Sequence, residues 1–135
     1  MRRHPPDVAA FLAVGSFAVV GASADRAKYG NKVLRCYLQH GLPVVGVHPK
    51  LTACEGAAVH PSLAAAPGRP RAVSIVAPPA AALGIVQDAL AAGCRQLWFQ
   101  PGAEDPAAVA AARAAGLAVI AGGPCLLVAL GFHDD

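Results

Sequence analysis

An apolar run that ends at a glycine constrains the fold of this chain more than any other feature. Residues 17–20 are Phe, Ala, Val and Val, and Gly21 is followed by small and cationic residues before a helical segment begins. A strand that stops at a glycine lets an anion approach the backbone, because glycine has no Cβ atom. The first turn of the next helix offers N–H groups without intrahelical partners, and these stabilise an anion. The segment therefore predicts a phosphate-binding loop between a strand and a helix.

We expect this loop to use small residues for close approach and cations for charge. The predicted ligand contacts are Gly21, Ala22, Ser23, Arg26, Lys28, Tyr29, Gly30 and Asn31. Alternatively, Gly21 serves only a tight turn and Ser23 is a local cap. If the glycine makes room for a phosphate, replacing Gly21 with valine should remove binding and leave the domain folded.

Short apolar runs alternate with helical segments along the rest of the chain. Strands are predicted at residues 17–20, 42–47, 72–76, 96–99 and 117–121, and helices at about 8–14, 31–39, 80–92, 105–115 and 125–130. Because the apolar runs lack polar alternation, they are typical of a parallel sheet that is covered on both faces. The pattern predicts an α/β, Rossmann-like three-layer domain with a mostly parallel five-stranded sheet.

Two segments have weaker signals. Residues 51–71 are rich in glycine and proline, and they predict no more than a short strand or turn near Ala58 and His60. The helix at 80–92 is expected to turn Leu83, Val86 and Leu90 toward the sheet.

Length and composition limit the classes of protein to which the chain can belong. With 135 residues it can bury one core, so a single domain over residues 1–135 is expected. Hydrophobic residues make up 56% of the chain, yet no apolar run reaches the roughly 18 residues that a membrane helix needs. The N-terminal residues do not resemble a secretory signal. We therefore expect a cytoplasmic protein that does not bind membranes.

Charge, cysteines and histidines narrow the functions further. The formal net charge of +3 is too small to favour nucleic-acid binding, although cations concentrate at residues 22–50, around the predicted loop. The 4 cysteines include no C-x-x-C pair and the 5 histidines are scattered. Reduced thiols and no metal site are expected.

The end of the second predicted strand indicates the type of ligand. It carries His48, Pro49 and Lys50, where NAD-binding domains usually have an acidic residue for the ribose. A cation at this place suits a ribose that carries a phosphate, as in NADP or coenzyme A. Since the first loop also lacks the G-x-G-x-x-G pattern of dinucleotide sites, coenzyme A is the favoured ligand.

The remaining predicted contacts lie in the loops after the other strands, because ligands of parallel sheets bind outside the carboxyl ends of the strands. These contacts are Ala77, Pro78, Pro79, Gln100, Pro101, Gly102, Ala103, Pro124 and Cys125. Each has a structural alternative: the prolines can end a strand, residues 100–102 can form a turn, and Cys125 can be a packed apolar residue. We find no activated nucleophile or acid–base pair among the loops, so no catalytic residue is predicted. Cys125 is the one candidate for a reaction, a mixed disulfide with coenzyme A.

Motifs spread over most of the chain resemble those of a known family. They are Val20-Gly21-Ala22-Ser23, Lys28-Tyr29-Gly30-Asn31, Val47-His48-Pro49, Pro78-Pro79, Trp98-Phe99-Gln100-Pro101-Gly102-Ala103 and Gly123-Pro124-Cys125. With them the sequence, over residues 7–128, resembles the small stand-alone CoA-binding proteins. These are similar to the N-terminal CoA-binding domain of the succinyl-CoA synthetase α-subunit. His48 is a departure, since the family usually has asparagine before this proline.

The resemblance implies a cytoplasmic Rossmann-like domain that binds coenzyme A or an acyl-CoA. Most members of the family have no established reaction, which agrees with the lack of a catalytic group. A second copy of the chain or an acyl-CoA enzyme is the protein partner that we expect. The alternative is an NADP-binding oxidoreductase or a redox-sensing domain.

Overall fold

The computed structural model describes residues 4–68 and 70–134. Residues 1–3, 69 and 135, which the predicted single domain includes, lie outside the described residues. The helices within the described ranges are α1 (Pro6–Ala13), α2 (Tyr29–Gln39), α3 (Ala82–Ala92), α4 (Pro106–Ala114) and α5 (Leu126–Leu130), and a short 3-10 turn (Pro79–Ala81) precedes α3. The strands are β1 (Phe17–Val20), β2 (Val44–Val47), β3 (Ala53–Cys54), β4 (Ala57–His60), β5 (Ala72–Ile75), β6 (Gln96–Phe99) and β7 (Ala118–Ile120).

The strands form one sheet in the order β3-β4-β2-β1-β5-β6-β7. All neighbouring pairs are parallel except β3 and β4, which are antiparallel. Phe17 of β1 is in register with Val44 of β2 on one side and with Ala72 of β5 on the other. The direction in which successive strands are added therefore reverses at β1. This order confirms the predicted Rossmann-like α/β fold with a mostly parallel sheet.

The prediction of five strands was wrong, because β3 and β4 extend the sheet to seven. They form a hairpin whose turn is Glu55 and Gly56, with φ of 52° and 84°. Turns that need positive φ at two successive residues usually carry Asn or Asp before Gly, and glutamate lacks that signal. The expected short strand or turn near Ala58 and His60 is β4 itself.

One face of the sheet is covered by α1, α2 and α5. Phe11 of α1 packs edge-on against Trp98 at a centroid distance of 5.2 Å, and the rings of Phe17 and Tyr37 stack at 5.0 Å. The Tyr37 and Ser74 hydroxyls, both buried, are hydrogen-bonded at 2.6 Å. These ring contacts and this hydrogen bond join β1, β5 and β6 to the helices of this layer.

The other face is covered by α3 and α4. Ala82, Val86 and Ala89 of α3 are buried, whereas Leu83 and Leu90 are 41% and 39% exposed. The expectation that both leucines face the sheet was therefore wrong. Small side chains at the buried positions let the helix lie close to the sheet, and the larger ones stay outside. Within the described ranges we find no helix with the length and apolar character needed to cross a membrane.

Candidate functional site

A cavity of about 420 Å³ opens at the carboxyl edge of the sheet, where the parallel strands end. It is formed by the loops after β1, β5 and β6, beside the point at which the strand order reverses. Its lining residues are Gly21, Ser23, Lys28, Tyr29, Gly30, Val76, Ala77, Pro78, Pro101, Gly102 and Ala103. All of them except Val76 were predicted as ligand contacts. Loops of separate strands meet here because parallel strands share one carboxyl edge.

Gly21 and Gly30 form the closest backbone packing of the site. A Cβ atom on Gly21, whose φ is 97°, would lie 1.7 Å from the carbonyl oxygen of Val76. One on Gly30 would lie 1.8 Å from the carbonyl oxygen of Gly21. Glycine is therefore required at both positions, because the backbones of β1, α2 and the loop after β5 lie too close together for a side chain. The expectation that a Gly21→Val variant stays folded is wrong, since the valine would collide with backbone.

Asn31 holds the loop after β1 from inside the protein. Its side chain is fully buried, and its amide donates to the carbonyl oxygen of Ser23 at 2.8 Å. Its Oδ1 accepts from the Arg35 guanidinium at 2.6 Å. Arg35 is 5% exposed and also donates to the Arg26 carbonyl and to Asp134. The hydrogen bond from Arg35 to Asp134 is the main reason why the pKa of Asp134 lies below its usual value.

The β3–β4 hairpin packs against the same loop from the other side. The Cys54 thiol donates to the Ser23 carbonyl at 3.1 Å, and Glu55 forms an ion pair with Arg26. Glu55 also accepts from Asn31 at 3.3 Å. Arg26, a predicted ligand contact, is thus paired with a carboxylate that no sequence motif placed here. Lys32 lies 3.5 Å from Asp134, whereas Lys28 lines the cavity.

Tyr29 connects the cavity to a buried amide. Its hydroxyl donates to Oε1 of Gln100 at 3.3 Å, and this oxygen also accepts from the Leu126 backbone at 2.8 Å. Burial raises the pKa of Tyr29, and a hydrogen bond with Cys125 raises it further. Because Leu126 N–H needs an acceptor, the amide of Gln100 has only this orientation. Its Nε2 atom is buried and has no hydrogen-bond partner among the described residues.

The other predicted contacts lie outside the cavity lining. Ala22 and Gln100 are buried, and Pro79 begins the exposed 3-10 turn. The Pro124 carbonyl accepts from the Trp98 indole at 2.9 Å, and Cys125 is half-buried immediately before α5.

The loop after β2 also lies outside the lining. His48 Nδ1 accepts from the backbone N–H groups of Lys50 and Leu51 at 3.0 and 3.1 Å, so the imidazole caps a turn. Pro49 and Lys50 are exposed at the end of that turn. The His48 side chain therefore stabilises this turn, in addition to its predicted contact with the ligand.

Glu104 is a residue of the site that the sequence did not point to. Its carboxylate accepts from the N–H of Gly102 at 2.8 Å and from the N–H of Gly122 at 3.2 Å. One side chain thus joins the loops after β6 and β7. Over residues 4–68 and 70–134 we find no cluster of three or more His, Cys, Asp or Glu side chains that could hold a metal ion.

Comparison with known proteins decides the family. Residues 15–131 match the model of the family described as CoA binding domain. The chain belongs to this CoA-binding domain family. The resemblance that the sequence motifs suggested is therefore confirmed, and the cavity lies within the matched residues of the CoA-binding domain.

Solved structures resemble this CoA-binding domain both as complete chains and as parts of larger ones. A conserved hypothetical protein from Pyrococcus furiosus has 35% sequence identity and a TM-score of 0.78, over 84% of this chain and 97% of that one. A hypothetical protein from Pyrococcus horikoshii OT3 has 26% identity and a TM-score of 0.84, over 95% and 94%. The apo form of acetyl-coenzyme A synthetase 1 from Ca. Korarchaeum cryptofilum has 27% identity and a TM-score of 0.69. That match covers 78% of this chain but 25% of the synthetase.

Proposed function

We propose that the cavity at the carboxyl edge binds coenzyme A or an acyl-CoA, and that this chain does not turn the ligand over by itself. The observation that carries the proposal is the cavity formed by the loops after β1, β5 and β6 in a chain whose residues 15–131 belong to a CoA-binding domain family. The pyrophosphate lies at the loop after β1, and the pantetheine arm crosses the loops after β5 and β6.

The loop after β1 has the chemistry that a pyrophosphate requires. The first turn of α2 lines the cavity through Tyr29 and Gly30, so its N–H groups and the positive end of the helix dipole stabilise an anion there. Lys28 immediately precedes this turn and lines the cavity with an exposed ammonium group. Glycine at positions 21 and 30 lets β1, α2 and the loop after β5 pack closely, and this packing holds the loop in place beside the cavity.

The loops after β5 and β6 fit the less polar pantetheine arm. Val76, Ala77 and Pro78 form one wall, and Pro101 and Ala103 form another. These side chains offer apolar contacts, while the amide groups of a pantetheine arm remain able to reach backbone donors and acceptors.

The adenosine end of the ligand extends toward the end of β2, on the other side of β1. Lys50 is exposed there and can pair with the 3′-phosphate that distinguishes coenzyme A from dephospho-coenzyme A. His48 fixes the turn that carries Lys50.

Isothermal titration calorimetry with three ligands tests the proposal. We expect coenzyme A to bind more tightly than dephospho-coenzyme A and NADP, and Lys50→Gln to remove the preference over dephospho-coenzyme A. Lys28→Gln should weaken coenzyme A about tenfold, or roughly 1.4 kcal/mol, because it removes a charge at the pyrophosphate. Lys32→Gln is the matched control, since Lys32 faces Asp134. Tighter binding of NADP, or no binding of coenzyme A, would reject the proposal, as would steady hydrolysis of acetyl-CoA by the purified chain.

A further inference from the structure

A second cavity lies beside the candidate site, between α4 and the end of β7. Its volume is about 630 Å³. Pro106, Val109, Ala110 and Ala121 supply apolar side chains. The lining is completed by Glu104, Arg113 and Gly122. The space is therefore mainly apolar and lies at the same edge of the sheet as the first cavity.

The linings of the two cavities are adjacent in the chain. Gly102 and Ala103 line the first cavity, and the next residue in the chain, Glu104, lines the second. The carboxylate of Glu104 accepts from the N–H of Gly102 at 2.8 Å and from the N–H of Gly122 at 3.2 Å. Gly122 also lines the second cavity, so the Glu104 carboxylate bonds to one lining residue of each cavity.

With the ligand direction proposed above, the strand order puts the second cavity beside the thiol end of the ligand. From β2 the edge runs through β1, β5 and β6 to β7. With adenosine at the end of β2 and the pyrophosphate at β1, the pantetheine arm crosses β5 and β6. Its thiol then lies next to the loop after β7, where Ala121 and Gly122 line the second cavity.

We propose that this second cavity holds the acyl group of an acyl-CoA and prefers an uncharged aliphatic chain. The inference rests on the proposed function, because it takes the direction of the ligand from that site. Apolar lining favours methylene groups, whereas an acyl group with a second carboxylate would lose hydration there. Glu104 and Arg113 carry opposite charges that water reaches, so their effects on such a carboxylate are both screened and the apolar lining decides the preference.

Calorimetric titration with a ligand series tests the acyl group directly. The ligands are coenzyme A, acetyl-CoA, hexanoyl-CoA and succinyl-CoA. Each buried methylene should tighten binding about fourfold, so hexanoyl-CoA should bind at least roughly tenfold more tightly than coenzyme A. Succinyl-CoA should gain nothing. Equal affinity for hexanoyl-CoA and coenzyme A, or tightest binding of succinyl-CoA, would overturn the inference.

A matched pair of variants locates the effect. Ala110→Trp fills the second cavity from an exposed position on α4, and it should remove the gain from the hexanoyl chain without changing the affinity for coenzyme A. Ala107→Trp, at an exposed position of the same helix outside the lining, should keep the gain. Circular dichroism checks that both variants fold. A gain that survives in Ala110→Trp contradicts the acyl site alone, whereas failure of the wild-type chain to bind coenzyme A contradicts the proposed function as well.

Discussion

At the residue scale, the packing of Gly30 against Gly21 links the fold to the site. The carbonyl oxygen of Gly21 occupies the space that a side chain on Gly30 would need. In most helices alanine is more favourable than glycine by about 1 kcal/mol, so helix propensity alone would favour alanine at this position. The backbone contact reverses that expectation, since an alanine would have to push β1 and α2 apart.

We therefore predict that Gly30→Ala lowers the free energy of unfolding by more than about 2 kcal/mol. Gly84 provides the control, because it lies in α3, is exposed and has no atom within 4 Å of the position of an added Cβ. Gly84→Ala should raise the free energy of unfolding by about 0.5–1 kcal/mol. Urea unfolding, followed by the fluorescence of buried Trp98, measures both changes. Increased stability of Gly30→Ala would show that the close packing is absent.

The buried thiols predict how stability depends on pH. Burial raises the pKa of Cys36 to about 11, with a further contribution from Cys125, and burial raises that of Cys94 to about 11. The thiols of an unfolded chain have a pKa of about 8.5. Below that pH both states are protonated. As the pH rises from there toward 11, the unfolded chain releases protons that the folded protein retains, so the free energy of unfolding falls.

Thermal unfolding between pH 7.5 and 10.5 tests this prediction. The melting temperature of the wild-type protein should fall over this range, and the fall should be smaller in a Cys36→Ala, Cys94→Ala double variant. Buried tyrosines contribute to the loss in both proteins, so the difference between their slopes is the measured quantity. Parallel slopes would contradict the role of the two thiols.

At the element scale, the loop after β1 is held between α2 and the β3–β4 hairpin. Asn31, Cys54 and Glu55 bond to this loop from the two elements, and Arg35 connects Asn31 to Asp134. The loop is thus positioned by buried polar groups as well as by glycine packing. Its geometry should depend on residues that do not line the cavity.

Replacing Asn31 tests this dependence. Asn31→Ala leaves the buried guanidinium of Arg35 without one acceptor and the Ser23 carbonyl without one donor. We expect it to lower the free energy of unfolding by about 2–3 kcal/mol and to weaken coenzyme A binding. Gln39→Ala, on an exposed part of the same helix, should change stability by less than about 1 kcal/mol and leave the affinity unchanged. Wild-type affinity in a folded Asn31→Ala variant would show that the loop does not need this support.

The strands and helices that were predicted are marked by local residue patterns, whereas the β3–β4 hairpin, which was missed, is not. Residues 17–20 form an apolar run that ends at a glycine, and Asp105 caps α4 by accepting from Ala108 at 3.0 Å. The β3–β4 hairpin has a positive φ at Glu55, and this residue pairs with Arg26 of the loop after β1, a contact between segments distant in sequence. Helical periodicity alone did not distinguish the buried Val86 from the exposed Leu83 and Leu90.

At the scale of the whole molecule, the location of the candidate site follows from topology. Parallel strands end at one edge, so the loops after β1, β5 and β6 could be predicted to meet without any knowledge of side-chain direction. The direction of individual side chains could not be predicted in this way. Asn31 turns inward because it pairs with buried Arg35, and Gln100 does so because it accepts from Leu126. Glu104 joins two loops that are separated in sequence, and no pattern within either loop indicates this.

A titration of the ¹⁵N-labelled chain with coenzyme A, followed by two-dimensional NMR, tests the location of the site most directly. We expect the largest shifts at backbone amides of the carboxyl edge, including Gly21, Ser23, Gly30, Ala77 and Gly102. A smaller cavity of about 320 Å³ at the opposite edge of the sheet serves as an internal control, with Ser16, Val44 and Val45 in its lining. The amides at this opposite edge should be unchanged. Shifts confined to them, or no shifts at millimolar coenzyme A, would show that coenzyme A does not bind at the carboxyl edge.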